Sequence, residues 1–189
     1  MKFRPLSIAG ASVVEIEPHA DERGLFARVY CRDEFSAAGL PTQFVQSSLS
    51  WNARRGTLRG MHFQRAPSRE DKLVRCVRGA VHDVLLDLRP GSPSYLQHAA
   101  VTLDERNRAA VFIPHGVAHG FLTLADDSEV LYQMTDVYAP SLADGVRWND
   151  PAFAIEWPDA GPLTISARDA TYPDFDRARH EARAGGGAS

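Results

Sequence analysis

The segment His82–Leu88, HDVLLDL, carries the clearest strand signal in the chain. Its residues alternate between two sets, Val84, Leu86 and Leu88 in one and Asp83, Leu85 and Asp87 in the other. A period of two is the signature of a β-strand, whose successive side chains point to opposite faces of a sheet. The segment therefore predicts a strand, and it sets the expectation for the rest of the chain.

Similar short runs follow at regular spacing. EVLYQM, residues 129–134, places Val130, Tyr132 and Met134 on one face. Further β-rich runs occupy residues 24–30, 72–77, 99–103, 109–113 and 120–124, separated by turn sequences such as RPGSP and APSLADG. Many short strands at this spacing indicate an all-β sandwich or barrel built from a double antiparallel sheet. Only residues 32–41 and 174–184 are expected to form short helices.

Length and composition narrow the class of protein. A chain of 189 residues fits one domain, residues 1–189, of which 179–189 are expected to fray. Cys31 and Cys76 are far apart and form no C-x-x-C pattern, so ordinary reduced thiols are expected. The net charge of -3 gives no basic excess for nucleic acid, and no run reaches the ~18 apolar residues of a membrane span. A cytoplasmic protein that binds neither nucleic acid nor membrane is expected.

Four polar features fall within or beside the predicted strands. They are Arg59 and His62 in TLRGMHFQ, Lys72 at the start of KLVRCVRG, P-x-G-x-x-H at residues 114–119, and Tyr132. The P-x-G-x-x-H pattern resembles the second motif of the cupins, which are jelly rolls. Metal-dependent cupins also carry an H-x-H pair and a glutamate. The corresponding region here, GMHFQRAPSREDKL, has one histidine, so no metal is expected.

The order of several motifs is more specific than any one of them. DERGLF, TLRGMHFQ, KLVRCVRGAVHDVLLDLR, FIPHGVAHGF, VLYQMTDVYAP, RWNDP, IEWP and SARDA occur in one series. This series resembles the dTDP-4-dehydrorhamnose 3,5-epimerase family from about Ala9 to Ala170. The resemblance implies a cupin-type jelly roll, no cofactor, and a homodimer whose N-terminal strands exchange between subunits.

The resemblance also implies a reaction and a set of catalytic residues. The substrate would be a dTDP-4-keto-6-deoxyhexose, whose ketone acidifies the hydrogens on C3 and C5. Histidine titrates near neutrality and is suited to remove such a proton. By resemblance His62 is the base, Asp169 its partner, Lys72 the group that stabilises the enolate, and Tyr132 the proton donor.

The family's substrate contacts fall on a larger set of positions. Those implied for the diphosphate and sugar are Arg23, Arg59, Lys72, His119 and Arg168. Those implied for the nucleoside are Phe26, Gln46, Tyr138 and Asp144. Two further positions depart from the family pattern at the nucleoside end, because Arg28 replaces a glutamate and Ser48 replaces an asparagine. Arg28 donates hydrogen bonds where a glutamate would accept them, and this change can alter which nucleotide base is preferred.

Several alternatives stay open at this level. The chain could invert C3, C5 or both, act in a specialised deoxysugar pathway, use a CDP or GDP sugar, or be a 3,4-ketoisomerase on the same fold. A metal-dependent oxygenase and a non-catalytic sugar-nucleotide binding module are alternatives from other classes. Strict alternation also places Arg59 and His62 on opposite faces of a strand, so either Gly60 marks a bulge or Arg59 reaches the site from its rim.

Overall fold

Fourteen strands and three short helices make up the computed structural model, which describes residues 1–185. The strands are β1 (Lys2–Pro5), β2 (Ser12–Glu15), β3 (His19–Asp21), β4 (Gly24–Phe26), β5 (Gln46–Asn52), β6 (Thr57–Gln64), β7 (Lys72–Arg78), β8 (Ala80–Asp87), β9 (His98–Asp104), β10 (Ala110–Ile113), β11 (Val117–Thr123), β12 (Ser128–Met134), β13 (Ala143–Gly145) and β14 (Thr164–Ile165). The helices are α1 (Arg32–Ala37), α2 (Ala167–Ala170) and α3 (Arg177–Gly185).

Two large sheets hold most of the strands. The first sheet has the order β1-β2-β10-β7-β12-β5, and the second has the order β13-β6-β11-β8-β9 with β14 paired to β6. Pairing is antiparallel except between β14 and β6. The inner core joins the two sheets, since Val74 and Val130 of the first pack with Leu85 and Phe121 of the second. This confirms the all-β, cupin-type jelly roll with a few short helices. β3 and β4 form a separate hairpin.

Both faces of β8 are buried, which the alternation of HDVLLDL alone does not indicate. Leu85 belongs to the inner core, whereas Val84 and Leu86 lie in a second cluster covered by residues such as Phe153. Asp87, fully buried, accepts hydrogen bonds from Arg89, Ser92 and Ser94. Burial alone would raise the pKa of Asp87, but these bonds lower it to about 2.

The two predicted helices are present at the expected places. Helix α1 lies within the predicted 32–41 segment, and Gly39 follows it with φ +71°. Helix α3 agrees with the helix predicted over 174–184. Residues 179–185, part of the segment expected to fray, are helical, and His180 Nε2 donates to the Leu88 carbonyl at 2.6 Å. Residues 186–189 lie outside the described residues.

One irregularity in β6 determines how the site is built. The register between β6 and β11 shifts between the His119–His62 pair and the Phe121–Arg59 pair. Gly60 lies at this shift with φ +123°, and a Cβ there would overlap the backbone of Gly120. Glycine is therefore required at position 60, and the strand is re-aimed between Arg59 and His62.

Candidate active site

A cavity of about 650 Å³ opens between the two sheets. Seven residues predicted for the site line it: Arg59, His62, Lys72, His119, Tyr132, Arg168 and Asp169. They come from β6, β7, β11, β12 and α2. The four catalytic residues predicted from the sequence therefore share one cavity.

His62 and Asp169 form a hydrogen-bonded pair. His62 Nε2 donates to Asp169 Oδ1 at 2.7 Å, and the Gly60 amide donates to Asp169 Oδ2 at 3.2 Å. Ser166 caps helix α2 by accepting from the Asp169 amide, which fixes the backbone that carries the carboxylate. Burial alone would raise the pKa of Asp169, but the hydrogen bonds from His62 and Gly60 outweigh it and hold that pKa below its usual value.

Arg59 and His62 reach the same cavity despite their odd spacing. Both line its wall, on either side of the shift at Gly60. Arg59 Nε donates to Asn52 Oδ1 at 2.8 Å, and Asn52 in turn donates to the Ser128 carbonyl. The bulge interpretation is thus confirmed, and Asn52 holds the arginine against the cavity wall.

Lys72 enters the cavity as half of a buried ion pair. Its Nζ lies 3.0 Å from Glu70 Oε1, and the two side chains are 14% and 6% exposed. Gln64 Nε2 donates to the other oxygen of Glu70 at 3.0 Å. A buried ammonium needs such a partner, and the partner also fixes its position.

Tyr132 extends from the first sheet, whereas His62 belongs to the second. Because the sheets face each other, the phenol and the imidazole enter the cavity from opposite walls. Burial raises the pKa of Tyr132 well above its usual range, and the nearby carboxylate of Asp83 raises it further, while Arg59 acts in the opposite direction. Tyr132 is therefore a neutral phenol, with a proton to donate, at physiological pH.

His119 belongs to a second, more deeply buried histidine–aspartate pair. Its Nε2 donates to Asp83 Oδ2 at 2.7 Å, with side chains 5% and 0% exposed. Its ring also meets Tyr132 edge-on, with centroids 5.9 Å apart. Asp83 thus fixes the imidazole that forms the floor of the cavity beside the phenol.

An adjoining cavity of about 410 Å³ collects predicted nucleoside contacts. Gln46, Ser48, Tyr138 and Asp144 line it, and it shares Arg168 with the first cavity. Gln46 Oε1 accepts from the Tyr138 amide at 2.7 Å, which holds the exposed tyrosine at the rim.

The remaining three predicted contacts lie outside both cavities. Arg23 and Phe26 are on the β3–β4 hairpin, where Phe26 is 78% exposed and Arg23 pairs with Asp21. Arg28 follows the hairpin and pairs with Glu34 at 3.0 Å. A single chain therefore brings eleven of the fourteen predicted residues together, seven in the first cavity and four in the second.

Four supporting residues were not predicted from the sequence. Asn52, Glu70, Asp83 and Tyr172 hold Arg59, Lys72, His119 and Arg168 respectively. Asp83 had a signal, since it is one of two carboxylates within a largely apolar strand pattern. The others make contacts that sequence spacing does not report.

Within residues 1–185, no three His, Cys, Asp or Glu side chains form a set that could hold a metal. No helix in that range is long and apolar enough to span a bilayer.

The fold and cavity define a class: a jelly roll with a histidine–aspartate pair opposite a partly buried tyrosine in the cavity between its two sheets. A family model described as dTDP-4-dehydrorhamnose 3,5-epimerase matches residues 5–177. The chain belongs to this family of sugar-nucleotide isomerases.

Individual relatives cover almost the whole chain. The dTDP-4-dehydrorhamnose 3,5-epimerase of Mycolicibacterium smegmatis is 43% identical over 95% of this chain and 88% of its own. The dTDP-4-dehydrorhamnose 3-epimerase of Streptomyces niveus is 42% identical over 89% of this chain and 81% of its own. The crystal structure of the dTDP-6-deoxy-D-glucose-3,5-epimerase of Legionella pneumophila, in complex with dTDP-4-keto-L-rhamnose, matches with a TM-score of 0.83 and 32% identity over 89% of each chain.

Proposed function

We propose that this chain epimerises a dTDP-4-keto-6-deoxyhexose at C3 and C5, giving a product of the dTDP-4-dehydrorhamnose type. The observation that carries the proposal is the placement of His62 and Tyr132 on opposite walls of one cavity, with Lys72 beside them. Inversion at carbon needs a base on one face of the ring and an acid on the other. The names of the relatives support the same substrate class.

His62 acts as the base. Its Nε2 hydrogen is committed to Asp169, so Nδ1 is the nitrogen left to accept a proton. The carbon–hydrogen bond beside the ketone breaks, the proton moves to His62, and the electron pair moves to the C4 oxygen as an enolate. Asp169, charged and buried, stabilises the imidazolium that forms and holds its ring in one orientation.

Lys72 and Tyr132 complete the reaction. The Lys72 ammonium favours negative charge on the C4 oxygen, because Glu70 holds it in place before the reaction begins. Tyr132 then gives its phenolic proton to the opposite face of the carbon, and the enolate returns to the ketone. The phenolate recovers a proton from water, and the His62 imidazolium releases one to water. The nearby Arg59 guanidinium favours the transient phenolate.

The substrate's nucleotide extends from the first cavity into the second. Arg59 and Arg168 contact the diphosphate, for which an arginine fork is well suited, and His119 contacts the sugar. Tyr138 stacks on the base, with Gln46, Ser48 and Asp144 as polar contacts around the nucleoside. Asp144 also pairs with Arg65 at 3.3 Å, which fixes its carboxylate at the edge of this cavity.

The chain functions as a homodimer in which the β3–β4 hairpin enters the partner's site. Leu25 and Phe26 on the hairpin are 43% and 78% exposed. Leu49 and Trp51, on the outer side of edge strand β5, are 58% and 57% exposed. Exposed apolar groups at a sheet edge favour association, which would bring Arg23, Phe26 and Arg28 to a nucleoside site.

We also propose a cytoplasmic location for the protein. The two free cysteines found within residues 1–185 support it.

Solvent-deuterium incorporation tests the function. The enzyme is incubated in D2O with dTDP-4-keto-6-deoxyglucose, and the sugar is followed by NMR. Label at C3 and C5 with inversion at both is expected. Label and inversion at C3 alone would instead define a 3-epimerase, a second candidate that the 42% identical Streptomyces niveus relative favours. A shift of the carbonyl to C3 would identify a ketoisomerase. Absence of label with dTDP, CDP and GDP sugars would refute the proposal.

A further inference from the structure

Tyr172 lies just behind the cavity wall, and neither the sequence motifs nor the proposed reaction uses it. It follows α2 in the chain and is partly buried. Its ring packs so tightly against Gly145 that a Cβ at Gly145 would lie 2.6 Å from the Tyr172 ring carbon Cζ. The Tyr172 carbonyl also accepts from Arg147 at 3.3 Å. The tyrosine is therefore fixed from both its side chain and its backbone.

The fixed phenol holds Arg168. Arg168 Nε donates to the Tyr172 hydroxyl at 2.9 Å, and the guanidinium carbon lies 5.9 Å from the centre of the tyrosine ring. An exposed arginine samples many rotamers, and a ligand must pay for fixing one of them. With Nε already bonded, the two terminal nitrogens remain as a fork for phosphate oxygens at the junction of the two cavities.

The same ring also borders His62. The two ring centroids are 6.5 Å apart with an interplanar angle of 62°, an edge-to-face arrangement. Asp169 holds His62 through Nε2, and Tyr172 limits the movement of the ring about that bond. One side chain thus contacts both the proposed base and a proposed diphosphate ligand.

We propose that Tyr172 is a positioning residue, whose hydroxyl orients Arg168 toward the substrate diphosphate and whose ring restrains His62. This inference rests on the proposed function, because it takes the diphosphate site and the base from it. The two parts of the side chain act on different steps. The hydroxyl affects binding alone, whereas the ring affects proton abstraction.

The test compares Tyr172→Phe and Tyr172→Ala with wild type in two assays. The first is calorimetric binding of dTDP, which carries the diphosphate but no reacting carbon. The second is steady-state epimerisation. Because Arg168 is exposed, water weakens its hydrogen bond to the phenol. Loss of that bond predicts that Tyr172→Phe raises the Kd for dTDP and the KM about threefold to tenfold while kcat stays unchanged. Tyr172→Ala raises Kd similarly and also lowers kcat by about tenfold.

Two controls separate positioning from general damage. Tyr95→Phe makes the same substitution in a tyrosine outside both cavities. The Tyr95 ring also lies against an arginine, since the Arg177 guanidinium carbon is 5.3 Å from its centre. This variant should change neither the Kd for dTDP nor kcat. In an Arg168→Met background, Tyr172→Phe should have no further effect on Kd, since a double-mutant cycle isolates the coupling. Thermal unfolding of each variant checks that the fold is retained.

The outcomes distinguish the inference from the function on which it rests. If wild type does not bind dTDP, or if Arg168→Met leaves its Kd unchanged, the proposed binding site is wrong. If Arg168→Met weakens binding but Tyr172→Phe does not, the positioning role is overturned. Equal effects of Tyr172→Phe in both backgrounds would overturn it as well, as would an unchanged kcat in Tyr172→Ala.

Discussion

Asp169→Asn is the substitution whose effect follows most directly from the geometry. The carboxylate uses both oxygens, one for His62 Nε2 at 2.7 Å and one for the Gly60 amide at 3.2 Å. An amide of the same shape has one acceptor oxygen. If that oxygen stays on His62, the NH2 group faces the Gly60 N–H as a second donor. The variant therefore loses the negative charge and one of the two bonds.

The magnitude can be worked from the lost charge. A hydrogen bond to a charged group contributes about 1.5–3 kcal/mol, and the Asp169 side chain is only 5% exposed, so water screens it little. Since about 1.4 kcal/mol corresponds to a factor of ten, kcat should fall about tenfold to 150-fold. Because hydrogen bonds hold the pKa of Asp169 below its usual value, the carboxylate is charged from about pH 5 to 9, and the loss should extend over that whole range.

The assay is the rate of deuterium incorporation at saturating dTDP-4-keto-6-deoxyglucose, with the Kd for dTDP as the control. The Kd for dTDP should change less than about twofold, because Asp169 is not among the proposed nucleotide contacts. A variant that binds dTDP normally and keeps more than about a third of wild-type kcat would refute the role given to Asp169. So would a loss confined to low pH.

Three further predictions test other parts of the molecule. Tyr132→Phe should keep deuterium exchange at C3 but lower the rate of inversion at C5 by about 100-fold, as measured by NMR in D2O. Undiminished inversion at C5 would show that Tyr132 is not the proton donor. Asp87→Asn should lower the free energy of unfolding in urea at pH 7 by about 2 kcal/mol, because the depressed pKa of Asp87 stabilises the fold above about pH 4. That stability is lost as the pH falls toward 2, so the wild type and the variant should converge there, and parallel curves would contradict the assignment. Trp51→Glu should convert a dimer to a monomer in light scattering and lower activity with it, whereas an unchanged mass would exclude β5 from the interface.

The fold was predictable from the sequence because strand periodicity is local. The period of two in HDVLLDL and EVLYQM reports the strands β8 and β12 without knowledge of their neighbours. What periodicity cannot report is which faces become covered. Phe153, for example, packs against the outer face of β8 from more than sixty residues further along the chain, so both faces of that strand are buried. The His180 bond to Leu88 likewise joins distant parts of the chain, which a local pattern does not report.

The grouping of the proposed catalytic residues was predictable because they belong to sequence motifs. His62, Lys72, Tyr132 and Asp169 share a cavity because the jelly roll places their strands and helix α2 around it. The supporting residues were not predictable, since they are defined by contacts between elements. Glu70, for example, is one of many acidic residues until the structure places it 3.0 Å from the Lys72 ammonium.

Geometry also decided one question that the sequence left open. Alternation set Arg59 and His62 on opposite faces, and the register shift at Gly60 brings both to the same cavity. No sequence pattern distinguishes a glycine that makes a bulge from one that makes room for a neighbour. Here Gly60 does both, because β11 approaches it at Gly120.

The role of His62 as the base is the central claim, and one measurement tests it most directly. Deuterium incorporation into dTDP-4-keto-6-deoxyglucose is followed at C3 and C5 with His62→Ala at high enzyme concentration, alongside the Kd for dTDP. We expect no label at either carbon and a dTDP affinity within about tenfold of wild type. Label entering C3 or C5 at the wild-type rate would contradict it.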